Sequence, residues 1–163
     1  GAIGTGTFAL HAKAVFAGDS ALFTYAGETV EDGRIGIQFD FRVPRAKSTF
    51  QIRANGGTPV TVGYRGQFRV DAGTLDLIRL QVDVDDLPSG FPIVGTGETM
   101  EYRRVSIGHA GFLLPYSSRL IVRDAAGMES RNVTTFDGCR QYTGESVIRF
   151  AEQSEQPADP IRR

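Results

Sequence analysis

From Arg34 to Val43, Ile35, Ile37, Phe39, Phe41 and Val43 alternate without interruption with Arg34, Gly36, Gln38, Asp40 and Arg42. Successive side chains of a strand point to opposite faces, so this stretch builds one apolar and one polar face. A register slip of one residue would turn all five hydrophobes to solvent, so the segment demands a sheet whose apolar face is covered.

The same grammar recurs along the chain. Ile78, Leu80, Val82 and Val84 alternate with Arg79, Gln81, Asp83 and Asp85, and the run ends at Leu87-Pro88-Ser89-Gly90. Glu31-Asp32-Gly33 supplies a glycine for a positive backbone angle, which predicts a hairpin of Leu22 to Val30 with Arg34 to Val43. Asn55-Gly56-Gly57 predicts a second hairpin between Phe50 to Ala54 and Val60 to Tyr64. Gln67 to Val70 turns through Asp71-Ala72-Gly73 into the Ile78 strand, and Met100 to Ile107 turns through Gly108 to Gly111 toward Phe112-Leu113-Leu114. Ser117 to Arg123 and Ser130 to Phe136 flank the turn Asp124 to Gly127; Cys139 to Tyr142 and Ser146 to Phe150 close the series. The fold class expected is mainly β: a curved antiparallel sheet of about ten strands, a half-barrel or meander, with at most one or two short helices.

Thr7 to Phe16 is the one helical candidate. Phe8, His11, Ala12, Val15 and Phe16 share a helix face, with Thr7 as cap and Gly18 as stop, although Phe8, Leu10, Ala12, Ala14 and Phe16 also alternate. The alanines favour the helix. Residues 1–150 read as a single β-rich domain, and Ala151 to Arg163, with two prolines and no apolar pattern, as a mobile tail. One short helix covers little of so large a sheet. Its concave face, including Ile35, Ile37, Phe39, Phe41, Ile78, Leu80 and Val82, is therefore expected to be filled by its own aromatics, by an upstream segment, or by a ligand or partner.

Composition removes functions more readily than it assigns one. Lys and Arg number 18 against 19 Asp and Glu, and this balance excludes binding to nucleic acid through unopposed basic residues. No apolar run approaches the roughly 18 to 20 residues of a membrane-spanning helix, so the chain is not expected to be transmembrane. The lone cysteine, Cys139, allows no internal disulfide and no thiolate cage, and His11 and His109 fall in different elements. No metal, cofactor or catalytic residue is expected.

Individual candidates reduce to structural roles. Asp83, Asp85 and Asp86 place oxygens at alternate positions as a calcium site would, but they lack the glycine and distal glutamate of a calcium loop and read as a strand's polar face. Cys139 precedes Arg140, which would favour a thiolate, yet it reads as a small, partly buried side chain on a sheet edge. Ser117-Ser118 lack the glycines of a nucleophile elbow and read as strand residues. Gly4-Thr5-Gly6 and Gly95-Thr96-Gly97 resemble fragments of phosphate loops but read as ordinary loop glycines. Arg103, Arg104, Arg119, Arg123, Arg131 and Arg140 are interspersed with acids and suit cross-strand pairing on an outer face.

Several stretches are similar to a known group. Tyr64-Arg65-Gly66-Gln67-Phe68-Arg69-Val70-Asp71, Leu77-Ile78-Arg79-Leu80 through Asp86-Leu87-Pro88, Phe112-Leu113-Leu114-Pro115, Ser130-Arg131-Asn132-Val133, Cys139-Arg140-Gln141-Tyr142 and Glu145 to Phe150 resemble uncharacterised bacterial secreted proteins. These look distantly like the periplasmic lipoprotein-carrier (LolA/LolB-type) superfamily, in which a curved antiparallel sheet wraps helices as an incomplete barrel. The resemblance spans roughly residues 5 to 150. It implies a longer parent chain with a signal peptide ahead of Gly1, a periplasmic or extracellular address, and no catalytic residue. The expected function is a non-catalytic cell-envelope binding module holding an acyl chain or apolar partner segment. The alternative is a structural subunit that associates through its sheet edges, with itself or another chain.

Overall fold

The computed structural model describes residues 7–31, 33–54 and 56–140, with side chains from residue 12 onward. The chain is mainly β. Helix α1 (Thr7–Phe16) precedes β1 (Leu22–Glu31), β2 (Arg34–Val43), β3 (Gln51–Ile52), β4 (Val60–Thr61), β5 (Gly63–Asp71), β6 (Leu77–Asp85), β7 (Ile93–Ile107), β8 (Ala110–Asp124) and β9 (Glu129–Thr135). Seven strands form one antiparallel sheet in the order β1-β2-β5-β6-β7-β8-β9, and β3 pairs with β4 in a separate two-stranded ribbon. Among the described residues the large sheet is an open meander with β1 and β9 at its edges. The nine strands among the described residues compare with about ten expected. Of the two further strands expected after β9, Cys139 and Arg140 are not in a strand, and residues 141–150 lie outside the described residues, as does the tail.

The alternation of Arg34 to Val43 is realised residue for residue. Phe41 pairs with Phe23 on β1 and Gly66 on β5, Phe39 with Tyr25 and Phe68, and Val43 with Tyr64. Gly33, at a φ of 74°, makes the β1–β2 turn that a β-carbon would disfavour. Gly66 answers a different need. A β-carbon built there would overlap the backbone carbonyl oxygen of Gln81 on β6 and press on the Phe41 ring.

Four register shifts break the ladder. Ala26 is extra between Tyr25 and Gly27, Ile78 between Leu77 and Arg79, Val94 between Ile93 and Gly95, and Tyr116 between Pro115 and Ser117. The last explains why Phe112 to Leu114 and Ser117 to Arg123 are one strand rather than two. Pro115 lacks an N–H, and it sits beside a bulge, one of the few places where a paired strand accommodates a proline. Gly95-Thr96-Gly97 likewise lies inside β7 rather than in a loop, and Gly97 leaves room for the Asp83 carboxylate across the ladder. The Asn55-Gly56-Gly57 hairpin is shorter than expected, with only Gln51 facing Thr61 and Ile52 facing Val60, and Tyr64 belongs to β5.

The core lies under α1. Val15 is fully buried and packs with Phe41, Val43, Tyr64, Leu80, Val82 and Met100, flanked by Ala12, Ala14, Phe50 and Phe68. The small alanines let the helix approach the sheet closely, and Phe50 meets Tyr64 edge-on with ring centroids 5.9 Å apart. The opposite face is polar. Arg42 pairs with Asp85 at 3.0 Å, Arg79 with Glu101 at 3.5 Å, Arg69 with Glu31, and Gln81 Nε2 donates to Asp83 at 2.8 Å. Near the β8–β9 turn, Arg123 and Arg131 share Glu129, at 2.9 and 3.2 Å; the first is the cross-strand pairing expected, and the second lies within β9. No helix among the described residues is long and apolar enough to cross a membrane.

Candidate functional site

Aromatic side chains from three elements converge beside α1. Phe68 of β5 meets Phe16 and Phe23 at right angles, with centroids 4.9 and 5.7 Å away, and Phe39 stacks on it at 5.1 Å. Aromatic pairs in edge-on and offset-stacked geometries reinforce one another, so Phe68 anchors a wall of fixed shape. The wall continues through Val70, Leu75, Leu77 and Leu113 to enclose an open groove of about 560 Å3 whose lining residues are all apolar. Cavities of roughly 300–1,000 Å3 with apolar walls are the usual receptacles of small organic ligands. Phe16 remains 43% exposed, Phe23 47% and Leu75 68%, so the groove presents apolar surface to solvent.

Leu75 is the least expected member. It adopts a φ of 61° in the β5–β6 turn, a conformation that non-glycine residues seldom take. The turn holds it there: Asp71 Oδ1 accepts from the backbone N–H groups of Gly73 and Thr74, both at 2.9 Å, and Leu75 N donates to the Asp71 carbonyl. The Thr74 and Gly73 amides keep the Asp71 carboxyl below the usual carboxylate range.

A second, polar cavity of about 920 Å3 adjoins the groove, and Leu77 and Leu113 line both. Four arginines, Arg34, Arg69, Arg103 and Arg104, and four acids, Glu31, Asp71, Asp76 and Glu101, line it. Arg104 grips Asp76 in a two-pronged pair, Nε to Oδ2 at 2.5 Å and Nη2 to Oδ1 at 2.7 Å, which holds the Asp76 carboxyl below its ordinary pKa. Arg103 lies over the Tyr116 ring at 5.1 Å. The Arg69 side chain is mostly buried and crosses the space left by Gly36, yet its Nε has no hydrogen-bond partner among the described residues. A buried donor left in this state costs about 1–3 kcal/mol. Burial raises the Glu101 pKa, against the pull of Arg79.

The far half of the apolar face carries a different cluster. Glu98 sits opposite Val82, and both it and Ser118 are buried, with Ser118 Oγ donating to Glu98 Oε1 at 2.5 Å. Tyr102, whose hydroxyl points to Met100 Sδ at 3.8 Å, has its pKa pushed up to about 12 by burial and by the Glu98 charge.

The sequence-derived face residues are dispersed among these features. Phe41, Leu80 and Val82 are core residues under α1, and Phe39 lines the groove. Ile37 is half-buried opposite Val70, and Ile35 is 51% exposed at the end of β2. Ile78 is the bulge residue and lines the polar cavity, while Leu77 takes the place opposite Val70 and reaches the groove. Phe16, Phe23, Phe68, Val70, Leu75 and Leu113 complete the groove, with Leu77, without having been singled out as site residues. Phe23 and Phe68 were recoverable from pairing with Phe41 and Phe39, whereas Leu75 lies in a turn and Leu113 beyond a bulge.

The other candidates occupy ordinary positions. Asp85 is held by Arg42, Asp83 by Gln81, and Asp86 is exposed after β6. His109 is exposed in the β7–β8 turn, and the His11 side chain and Gly4-Thr5-Gly6 lie outside the described residues. Cys139 is exposed beyond the end of β9, not partly buried on a sheet edge, because the ladder ends at Thr135. Among the described residues no three His, Cys, Asp or Glu side chains gather as a metal site. Comparison of the chain with protein-family models, with curated proteins and with solved structures finds no match.

Proposed function

We propose that the chain is a non-catalytic binding module of the cell envelope that holds an acyl chain or apolar partner segment against one face of its sheet. The observation that carries this reading is the groove formed around Phe68. It is walled by apolar residues, shaped by interlocking rings, and open to solvent. Exposed contiguous apolar surface is unfavourable in water, and a fixed groove binds without the ordering cost that a floppy one would incur. The strained, exposed Leu75 on its rim fits a position held for contact rather than for stability. The periplasmic or extracellular address rests on the motif resemblance.

The test is direct. Protein stripped of lipid should shift and enhance the emission of a fluorescent fatty acid, and Phe68→Ala should weaken that binding. Protein as first purified should release lipid on organic extraction. Absence of both the emission change and co-purified lipid would remove the main support for the reading.

A second reading is assembly by strand pairing, favoured by the two edges, β1 and β9, that have no further partner among the described residues. Both are blunted. β1 carries the Ala26 bulge, and β9 carries Glu129 and Arg131, devices that discourage edge-to-edge addition. Light scattering at micromolar concentration separates the readings, with a monomer expected for a carrier and a stable oligomer or filament for a structural subunit.

A further inference from the structure

We propose that the polar cavity receives the anionic head, a carboxylate or phosphate, of an amphiphile whose tail occupies the aromatic groove. The inference rests on the groove reading above and adds the chemistry of the head. Continuity is the first argument. Leu77 and Leu113 line both spaces, and each is tied to the ion pair at their junction: Leu77 follows Asp76 in the chain, and Leu113 faces Arg104 across the β7–β8 ladder. The groove lies on the apolar face and Glu31, Arg69 and Glu101 on the opposite one, so a ligand passing these two leucines changes faces where the β6–β7 ladder has ended at Arg79 and Glu101, and leaves a purely apolar channel for one lined with charge.

The sign of the head follows from what the cavity already satisfies. Its acids are engaged: Asp71 by the turn amides, Asp76 by Arg104, Glu31 by Arg69 and Glu101 by Arg79. An incoming cation would have to compete for each of them. Two donors stand otherwise. Arg69 Nε is buried with no hydrogen-bond partner, and Arg103, resting on the Tyr116 ring, has no carboxylate partner among the described residues. An anionic oxygen in the cavity would gain the charge of Arg103 without displacing a carboxylate, and the Arg69 N–H, closed off from solvent as the side chain now lies, would be satisfied by it once that side chain turned toward the cavity. Hydrogen bonds of this charge-assisted kind are about twice as strong as neutral ones.

The experiment uses the whole chain with the neutral groove probe N-phenyl-1-naphthylamine. Dodecanoate, dodecyl phosphate, dodecanol and dodecyltrimethylammonium share one tail and are compared as displacers below their micelle concentrations. At least one anion is expected to displace the probe at a concentration roughly tenfold or more below that of dodecanol. The better anion identifies the head as carboxylate or phosphate. Arg69→Gln and Arg103→Gln should each erode the anion advantage while leaving displacement by dodecanol within about twofold of wild type. Arg103 is exposed, so its variant serves if Arg69→Gln does not fold. Equal displacement by all four ligands, preference for the cation, or an anion preference indifferent to both substitutions would overturn the head site and leave the groove standing. Failure of the probe and of every tail to bind would overturn the groove as well.

Discussion

Phe41 and Ser118 lie on the same face of the same sheet, but the first is packed among rings and aliphatic side chains and the second donates to a buried carboxylate. From β1 to β6 that face is Phe23, Phe39, Phe41, Tyr64, Phe68, Leu80 and Val82; across β7 to β9 the registered positions include Glu98, Ser118, Asn132 and Thr134. Strand β9 inverts the usual arrangement, with Val133 60% exposed on the outer face. The helix lies over the apolar half, because Val15 gains only where it meets other apolar side chains. The groove opens at the margin of that same half. One continuous ladder thus carries two kinds of interior, one that packs and binds without direction and one in which each buried polar atom needs a specific partner.

Substitutions can break this contrast, beginning with the largest effect. Gly66→Ala puts a β-carbon into the Gln81 carbonyl and against Phe41, and it should cost about 4 kcal/mol in chemical denaturation, because backbone has to move in the middle of the apolar half. Leu80→Ala, at a fully buried site, should cost about 3 kcal/mol. In the polar half, Ser118→Ala should cost about 1–2 kcal/mol by withdrawing a donor from Glu98, and the double change Ser118→Ala with Glu98→Leu should recover most of the loss. If Ser118→Ala proved as damaging as Leu80→Ala, or the double change worse than the single one, the two halves would not differ in the way described.

The Tyr102 phenol gives a test by pH. Its folded pKa of about 12 exceeds the unfolded value near 10, so the folded state keeps a proton that the unfolded state loses. The stability linked to it is fully present below pH 10 and declines as pH rises toward 12. Tyr102→Phe should show little change at pH 7 and a shallower decline in melting temperature across that alkaline window, whereas an equally steep decline would assign the effect elsewhere. The smallest effect is expected at Leu75. Asn tolerates its left-handed backbone better, so Leu75→Asn should raise stability by about 0.5–1 kcal/mol while weakening fluorescent fatty-acid binding. A gain in stability without any loss of binding would remove Leu75 from the site.

Where the ladder is regular, the fold was legible from residue pattern alone. β2 alternates strictly, and its bounds are those expected; the helix ends at Phe16 as expected, with Ala17 N bonding to the Lys13 carbonyl. Each bulge, by contrast, inverts the phase of the alternation beyond it. Ile78 therefore exchanged places with Leu77, and the tie between Tyr102 and Pro115 was hidden behind a proline that reads as a break. The groove was legible in part, through Phe39 and the surplus of one-sided strands. The polar cavity was not, since Arg69, Arg103 and Arg104 meet there from strands distant in sequence and nothing in their local spacing brings them together.

The meander also orders how the molecule can assemble. Every neighbour in the large sheet is also a neighbour in sequence, save β2 and β5, which meet across the segment from Pro44 to Val62 that carries the small ribbon. Hairpins close at lower entropic cost than this longer excursion, so β1–β2 and the β5-to-β9 run can each form before they join. Phe23 and Phe39 come from one of these pieces, and Phe68, Val70, Leu77 and Leu113 from the other. The groove is therefore the seam of the fold, completed by the slowest pairing, and an occupant that grips both walls would slow the two pieces from parting.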